Sequence, residues 1–229
     1  MEITFTNVLG ADDQFGPIPA IKLLPDWYKQ THEYLNNKKL VVNGHTPHTI
    51  KKCIPVFDAM NAGYILRTPV DVQVSKEEGS DLPYYQWPSL DAVAFHPVEQ
   101  APLHPSQNGA PYPKWMNPWA VSTPRGWSCL FIPPMHNPNG IFTILPGLVD
   151  TDTYTNAVNF PFTLDDVTWE GLIPAGTPMV QVIPIHRASW KMQMGGDKER
   201  AAQGKVTGRL RALWFNSYKR QFWSRKEYR

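Results

Sequence analysis

The sequence has few charged residues and only two cysteines, and each scarcity excludes a class of protein. Asp, Glu, Lys and Arg make up 18% of the 229 residues, with 22 basic against 20 acidic side chains. That balance fits neither a disordered acidic chain nor a globally basic nucleic-acid binder. Cys53 and Cys129 lie in apolar contexts without CxxC spacing, which favours two buried thiols over a disulfide or a metal pair. No apolar run reaches the ~18 residues that span a bilayer, and the first residues lack the features of a signal peptide. We therefore expect a folded protein of a host or bacterial cytoplasm, with no membrane contact.

Proline is abundant instead, with 23 residues, about twice its ordinary usage of roughly 5%. Because proline lacks an amide donor and clashes with the preceding helical turn, this frequency predicts strands and loops over most of the chain. Alternating, β-branched segments predict short strands. These segments are residues 63–74, 128–132, 141–145, 157–162 and 179–185. Residues 95–119 are predicted to form an ordered loop. Residues 21–35 are predicted to form a short N-terminal helix, with Pro25 near its start. The predicted fold class is mainly β, a distorted barrel or sandwich of short strands.

The C-terminal segment differs in charge from the rest of the chain. Residues 197–229 hold ten Lys and Arg against three Asp and Glu, whereas residues 1–196 are net acidic. We therefore predict a single β-rich domain over 1–196 and a basic linker and helix over 197–229. Apolar residues from Leu210 to Phe222 recur at three- and four-residue spacing, which predicts an amphipathic C-terminal helix. The predicted contacts to a partner or to a nucleic-acid backbone are Trp214, Lys219, Arg220, Trp223 and Arg225. The alternative is that the apolar stripe docks on the domain and the basic face stays in solvent.

Two histidine patterns raise a metal hypothesis. His45 and His48 lie on a loop with a proline between them, so no helix places both imidazoles on one face. The second pattern would supply the two histidines and one carboxylate of a non-haem iron oxygenase. It consists of His96, Glu99 and a distant His136 or His186. The sequence contains no glycine-rich phosphate loop and no nucleophile elbow. We predict no metal and no cofactor.

Four short segments occur in the order and at the spacing of a known family. They are Ala-Gly-Tyr-Ile-Leu at 62–66, Thr-Pro-Arg-Gly-Trp at 123–127, Pro-Gly-Leu-Val-Asp-Thr-Asp-Thr-Tyr at 146–154 and Ile-Pro-Ala-Gly-Thr-Pro-Met-Val-Gln-Val-Ile-Pro-Ile at 173–185. This arrangement resembles the trimeric dUTPase and dCTP deaminase family. The resemblance implies a β-clip core over about residues 60–187 and a homo-oligomer, with a trimer favoured. The candidate ligand-binding residues are Arg125, Asp150, Asp152, Tyr154 and Gln181.

The residues themselves give a reason to consider Asp150 and Asp152. Two positions apart at a strand end, their side chains point the same way and can share a water or a sugar hydroxyl. Two like carboxylates so placed tend to raise one pKa. Gln181 offers both donors and acceptors on the following strand. The alternative is that the aspartates only end a strand through side-chain to backbone bonds.

The sequence departs from the family where a phosphate would be held. Pro133-Pro134-Met135 stands near the family's Arg-Ser-Gly segment and offers neither a cation nor a hydroxyl. Ile65 stands where the Ala-Gly-Tyr-Asp-Leu segment has its aspartate, and Thr177 stands at another acidic position. The glycine-rich C-terminal arm of the family is also missing. We therefore expect the fold without the chemistry.

Other segments resemble an uncharacterised family of bacteriophages and bacteria. Among them are Leu-Pro-Asp-Trp-Tyr at 24–28, Asn-Pro-Trp at 117–119 and Asn-Phe-Pro-Phe at 159–162. Together with the lost phosphate site, this favours a non-enzymatic binding or assembly protein, phage-encoded, homo-oligomeric and part of the virion. The second hypothesis is an enzyme, either a divergent nucleotide hydrolase that uses Asp150 and Asp152 or an iron oxygenase that uses His96 and Glu99. The third is nucleic-acid binding through the C-terminal helix.

Overall fold

The computed structural model describes residues 1–38, 47–76, 79, 82–88, 91–106, 109–211 and 216–229. This part of the chain is mainly β, as predicted, with fourteen strands in four antiparallel sheets. None of these four sheets closes into a barrel over the described ranges. The strands are β1 (Thr4–Asn7), β2 (Ile18–Pro19), β3 (Tyr64–Arg67), β4 (Val72–Lys76), β5 (Pro83–Gln86), β6 (Val93–His96), β7 (Tyr112–Trp115), β8 (Trp119–Ser122), β9 (Trp127–Ile132), β10 (Phe142–Ile144), β11 (Gly147–Val149), β12 (Phe160–Leu164), β13 (Gly171–Ile173) and β14 (Pro178–His186).

The largest sheet positions the candidate site. Its five strands have the order β11-β9-β14-β3-β2, so β9 lies between β11 and β14. The others are a four-stranded sheet β10-β12-β7-β6, a three-stranded sheet β13-β4-β5 and the pair β1-β8. In the largest sheet, Ser128 lies opposite Ile185 and Val149 lies opposite Cys129. This register brings the start of β9 next to the ends of β11 and β14.

The described chain also contains five short 3-10 helices and four α-helices. The α-helices are α1 (Asp26–Gln30), α2 (Ile54–Asn61), α3 (Asp197–Arg211) and α4 (Ser217–Gln221). The helix predicted over 21–35 is wrong in length, because α1 has only five residues, between Pro25 and Thr31 at its caps. The sequence reading missed α2, in which Pro55 stands in the first turn, where no amide donor is needed. No helix of the described residues is long and apolar enough to cross a membrane.

The strand predictions over 128–132, 141–145 and 179–185 are confirmed by β9, β10 and β14. The prediction of one strand over 63–74 is wrong, because the chain turns at residues 68–71 and enters a second sheet. The turn contains Pro69, which cannot donate to a ladder. The loop predicted over 95–119 contains β7, which pairs with both β6 and β12.

Aromatic side chains from the four-stranded sheet fill the core. Trp115 and Phe162 are fully buried and stacked, with ring centroids 5.1 Å apart, and Phe142 lies 5.2 Å from Trp115. Such rings each bury roughly 150–250 Å² and dominate the stability of a core. Cys129 is buried as predicted, but Cys53 is exposed next to α2, so the prediction of two buried thiols is half wrong.

A single glycine allows α2 to be followed directly by β3. Gly63 has φ +69°, and a Cβ at this position would lie 1.9 Å from the carbonyl oxygen of Val182 on β14. Any L side chain here is both strained and in collision with backbone. Gly63 is therefore required for the close packing of this junction against β14.

Candidate functional site

The ends of three neighbouring strands bring Asp150, Asp152 and Arg187 together. Asp150 directly follows β11, and Arg187 directly follows β14. Both strands pair with β9, and the amide of Arg187 donates to the carbonyl of Gly126 at 2.8 Å, just before β9 begins. The predicted pair of aspartates thus meets a cation from another strand, and we call these three residues the carboxylate cluster.

The guanidinium of Arg187 bridges both carboxylates. Its Nη1 lies 3.0 Å from Asp150 Oδ1 and donates to Asp152 Oδ1 at 2.8 Å, and its Nη2 pairs with Asp152 Oδ2. The backbone amide of Gly126 donates to Asp152 Oδ2 at 2.8 Å, and the Ser128 hydroxyl donates to Asp150 Oδ1 at 2.7 Å. The Asp152 side chain is only 2% exposed, whereas that of Asp150 is 60% exposed. Asp152 is therefore enclosed, and Asp150 is the member that solvent reaches.

The electrostatics contradict the expectation that one carboxylate has a raised pKa. Hydrogen bonds from Ser128 and then Arg187 lower the pKa of Asp150, which outweighs the repulsion by Asp152. The Arg187 hydrogen bond and then the Gly126 amide lower the pKa of Asp152. Both groups are ionised at neutral pH and hold no proton to donate, and a carboxylate with a lowered pKa is a weak base. The cluster is suited to clamp two turns together.

The other three candidate ligand residues, Arg125, Tyr154 and Gln181, differ in their exposure to solvent. Arg125 is exposed in the turn before β9, and Tyr154 is about half-exposed, with its amide donating to the Asp150 carbonyl at 2.8 Å. The Gln181 side chain is buried and bonded within the protein. It accepts from the amide of Met135 at 2.8 Å and donates to the carbonyls of Ala59 and Ala62 at 2.9 and 2.7 Å. These contacts give Gln181 a structural role, and its ligand role stays a prediction.

The sequence reading assigned no role to Arg187, although it completes the cluster. The only signal was a cation directly after a predicted strand. Arg187 meets Asp150 and Asp152 because of the strand register, and this register could not be predicted from the sequence.

The structure does not assemble the predicted iron triad. His96 ends β6 and Glu99 lies in the following 3-10 turn, Val98–Gln100. Within the described ranges, no three His, Cys, Asp or Glu side chains are grouped so that they could hold a metal ion. His45 lies outside the described residues.

The predicted amphipathic helix around residues 210–222 falls partly outside the described residues. The described part of α3 runs to Arg211, residues 212–215 with Trp214 lie outside the described residues, and Asn216, at φ +60°, precedes α4. Trp223, proposed as a partner contact, instead donates its indole N–H to both carboxylate oxygens of Asp58, at 3.0 and 2.9 Å. Lys226 pairs with the same carboxylate at 2.6 Å. The end of the chain is thus attached to α2.

Basic side chains of this C-terminal segment remain at the surface. Lys219, Arg220 and Arg225 are exposed. Lys219 Nζ lies 5.6 Å from the ring centroid of Trp223, within cation–π range. These three residues remain accessible to a partner, whereas the Trp223 indole is already bonded.

A long stretch of the chain after β14 is uncovered. Every residue from 185 to 211 is exposed, including the whole of α3. We call residues 188–211 the arm. Its apolar side chains Trp190, Met192 and Met194 are 91, 87 and 83% exposed. The Arg209 carbonyl near the end of α3 accepts from Ser217 at 3.2 Å and from Gln221 at 3.0 Å, so α4 caps α3.

An apolar groove lies between the three-stranded and the four-stranded sheets. It consists of two cavities of 420 and 260 Å³ that share Pro83, Tyr85 and Pro113 among their walls. Phe95 lines the smaller cavity and Val167 the larger one. The Tyr85 hydroxyl is buried without a hydrogen-bond partner in the described part of the chain. The volume and the apolar walls of this groove are typical of sites that accept a ligand or an anchoring side chain.

A scan of the chain against protein-family models finds no match, and no curated protein matches it either. The resemblances to the dUTPase and phage families therefore stay predictions, and function has to be inferred from the site itself.

Proposed function

We propose that the chain is a non-enzymatic assembly protein that works as a homo-oligomer. The observation that carries this proposal is the arm, in which a tryptophan and two methionines are almost completely exposed. Large exposed apolar side chains grouped in one segment mark an interaction surface, because burying them against a partner is more favourable than leaving them in water.

The helix of the arm supports the same proposal. α3 has fifteen residues, includes Gly204 and Gly208, and buries no side chain. A helix of that length is marginal in water without tertiary contacts, and each glycine costs roughly 1 kcal/mol relative to alanine. We infer that a partner surface stabilises α3.

The carboxylate cluster supports a role without catalysis. Asp150 and Asp152 are both paired with Arg187, so a hydrolase that used them would have to break that bridge first. The Met135 amide, the remaining donor of the segment where the family holds phosphate, is bonded to Gln181. A triphosphate would find no free donor at that segment.

The resemblances extend the proposal to particular assemblies. The dUTPase-like segments favour a β-clip core and a trimer, and the phage-like segments favour a protein made in the host cytoplasm and carried in the virion. Nucleic-acid binding through the basic C-terminal residues remains the competing proposal. A binder of that kind loses affinity steeply with salt, so affinity that ignores salt would reject it.

The experiment that tests the absence of catalysis measures pyrophosphate release from dUTP and other nucleoside triphosphates by the full chain. We expect no release above the rate without protein. Release that disappears in the Asp150→Asn variant would overturn the proposal and assign the cluster to a hydrolase. Mass spectrometry of purified virions tests the location, and the chain's absence from the particle would reject the structural role there.

A further inference from the structure

We propose that Trp190 of one copy inserts into the groove of a second copy, where its indole N–H donates a hydrogen bond to the Tyr85 hydroxyl. This inference rests on the proposed function, because it names the contact through which the homo-oligomer forms. It adds a donor side chain, a receiving site and a direction for the assembly.

The arm presents its apolar side chains in a pattern that suits such an insertion. Residues 187–196 lie in no helix, strand or turn. In an extended chain, residues two apart lie on the same side. If the arm docks in an extended conformation, Trp190, Met192 and Met194 form one apolar edge, with Lys191 and Gln193 on the other. Tryptophan is among the residues that most often dominate an interface, and methionine adapts to irregular surfaces.

The groove offers the complementary features. Its larger cavity, 420 Å³, can hold an indole ring and part of a methionine. Tyr85 is 5% exposed and lines both cavities, and its hydroxyl lacks a partner among the described residues. An unpartnered buried hydroxyl is rare in native proteins. An indole has one donor and no acceptor, so it can satisfy the oxygen of this hydroxyl once the side chains that cover the oxygen move aside on insertion.

Charge favours a second copy of this chain as the occupant. The arm carries six Lys and Arg against two Asp and Glu, whereas residues 1–187 carry 11 against 17. Exposed Asp165 and Asp166 stand directly between the groove residues Leu164 and Val167. A basic arm is thus attracted to the acidic surface of another copy, at the rim of the groove itself.

The contact is compatible with a closed assembly. Each copy donates one arm and offers one groove, so two copies can exchange arms reciprocally or successive copies can join head-to-tail. Head-to-tail interfaces close into rings when the rotation between copies permits. A ring of three agrees with the trimer that the dUTPase resemblance implies.

The first test compares the full chain with single variants by sedimentation equilibrium over a range of concentrations. We expect Trp190→Ala to weaken association by about 30-fold or more. Tyr85→Phe should weaken it by about fivefold, through loss of one hydrogen bond. Val167→Arg, at a half-exposed position of the rim, should weaken it at least tenfold by repelling the arm and blocking the cavity.

Matched controls separate the proposed contact from general effects. Gln193→Ala changes the opposite edge of the arm, and Leu172→Arg adds the same charge at an equally exposed position away from the groove. Both should leave association within about twofold of the unmodified chain, below the effect of one hydrogen bond. Tyr85→Phe removes only an unpartnered hydroxyl, so its thermal unfolding midpoint should not fall.

The second test uses disulfide capture in a Cys53→Ser background, since Cys53 is the exposed thiol. A Ser189→Cys copy, which keeps the Trp190 indole, mixed with a differently tagged Val167→Cys copy should give a disulfide-linked heterodimer, and Leu172→Cys in place of Val167→Cys should not. An oligomer that survives Trp190→Ala unchanged would overturn the inference and leave the proposed function standing. A monomeric unmodified chain at all concentrations would overturn both. A double Ser189→Cys, Val167→Cys variant that closes a disulfide within a monomer would show that each groove takes its own arm, which also overturns the inference.

Discussion

The carboxylate cluster and the arm are adjacent in sequence, and they differ in how their chemical groups are satisfied. Asp150, Asp152 and Arg187 meet one another within a single chain, and the bridge is completed by hydroxyl and amide donors. From the next residue onward, every side chain up to Arg211 is exposed. The aspartate pair of the cluster resembles a catalytic motif, but its carboxylates are paired and hydrogen-bonded within the chain, whereas the large apolar side chains of the arm are exposed. The proposed function therefore rests on the exposed arm rather than on the aspartate motif.

The largest contrast is expected from two glycine substitutions, one in each region. Gly63→Ala should lower the free energy of unfolding by about 3 kcal/mol or more, because of its positive φ and the Val182 carbonyl 1.9 Å from the new Cβ. Gly208→Ala, in α3, meets no atom within 4 Å and should favour the helix by roughly 1 kcal/mol without destabilising the domain. Urea denaturation of both variants checks this. Equal losses would mean that α3 is packed as tightly as the domain.

A buried hydrogen-bonding group of the domain gives the next largest effect. Gln181→Met keeps the side-chain volume but leaves one amide and two carbonyls without their partner. We expect the free energy of unfolding to fall by about 2–3 kcal/mol, the cost of unpaired buried polar groups. Urea denaturation measures it, and a change below about 0.5 kcal/mol would contradict a structural role. Such a result would favour the predicted ligand role of Gln181 over the structural one.

A pH titration tests whether the cluster is a clamp. Hydrogen bonds from Ser128 and then Arg187 hold the pKa of Asp150 below its usual range, and hydrogen bonds from Arg187 and then the Gly126 amide do the same for the pKa of Asp152. Groups with a lowered folded pKa stabilise the protein above their unfolded pKa, about 3.9, and lose this contribution as the pH falls through the folded value. Arg187→Met should therefore destabilise most at neutral pH, with a difference that narrows below about pH 4.

The matched control for this titration is Arg125→Met, a neighbouring exposed arginine. Its difference from the unmodified chain should be small and flat with pH. Unfolding of all three proteins in urea from pH 7 to pH 2 provides the comparison. A difference for Arg187→Met that grows as the pH falls would show that the carboxylates are not ionised in the folded protein.

The smallest expected effect concerns the end of the chain. Trp223→Phe keeps the ring and removes the indole donor to Asp58. Since the site is partly exposed, we expect a loss of about 1 kcal/mol that is confined to the terminal segment. Hydrogen exchange should become faster at residues 216–229 and remain unchanged in β9 and β14. Faster exchange throughout the domain would mean that the terminal segment is part of the core.

The sequence was sufficient for the elements with strong alternation and few interruptions. β9 and β14 lie where β-branched and aromatic residues follow one another, and both fall within a residue or two of their predicted bounds. The aspartate pair was also recognised. Its partner Arg187 was missed because it comes from another strand, and its position depends on a register that local pattern does not encode.

The C-terminal segment was harder for a different reason. Helical spacing runs from Leu210 to Phe222, where residues 212–215 lie outside the described chain, whereas α3 (Asp197–Arg211) covers residues that have almost no apolar stripe. Intrinsic helix propensity without a hydrophobic face leaves no periodic signal. Trp190 stood out in neither motif nor period, and only its exposure in the folded chain draws attention to it.

The central claim is that the arm of one copy completes another, and light scattering coupled to size-exclusion chromatography tests it most directly. The account predicts that light scattering gives the unmodified chain a mass that is a multiple of 26.1 kDa, with three copies implied by the dUTPase resemblance. The Trp190→Ala variant should keep its fold, and its mass should fall toward 26.1 kDa. A mass of 26.1 kDa for the unmodified chain at the highest accessible concentration would contradict the claim.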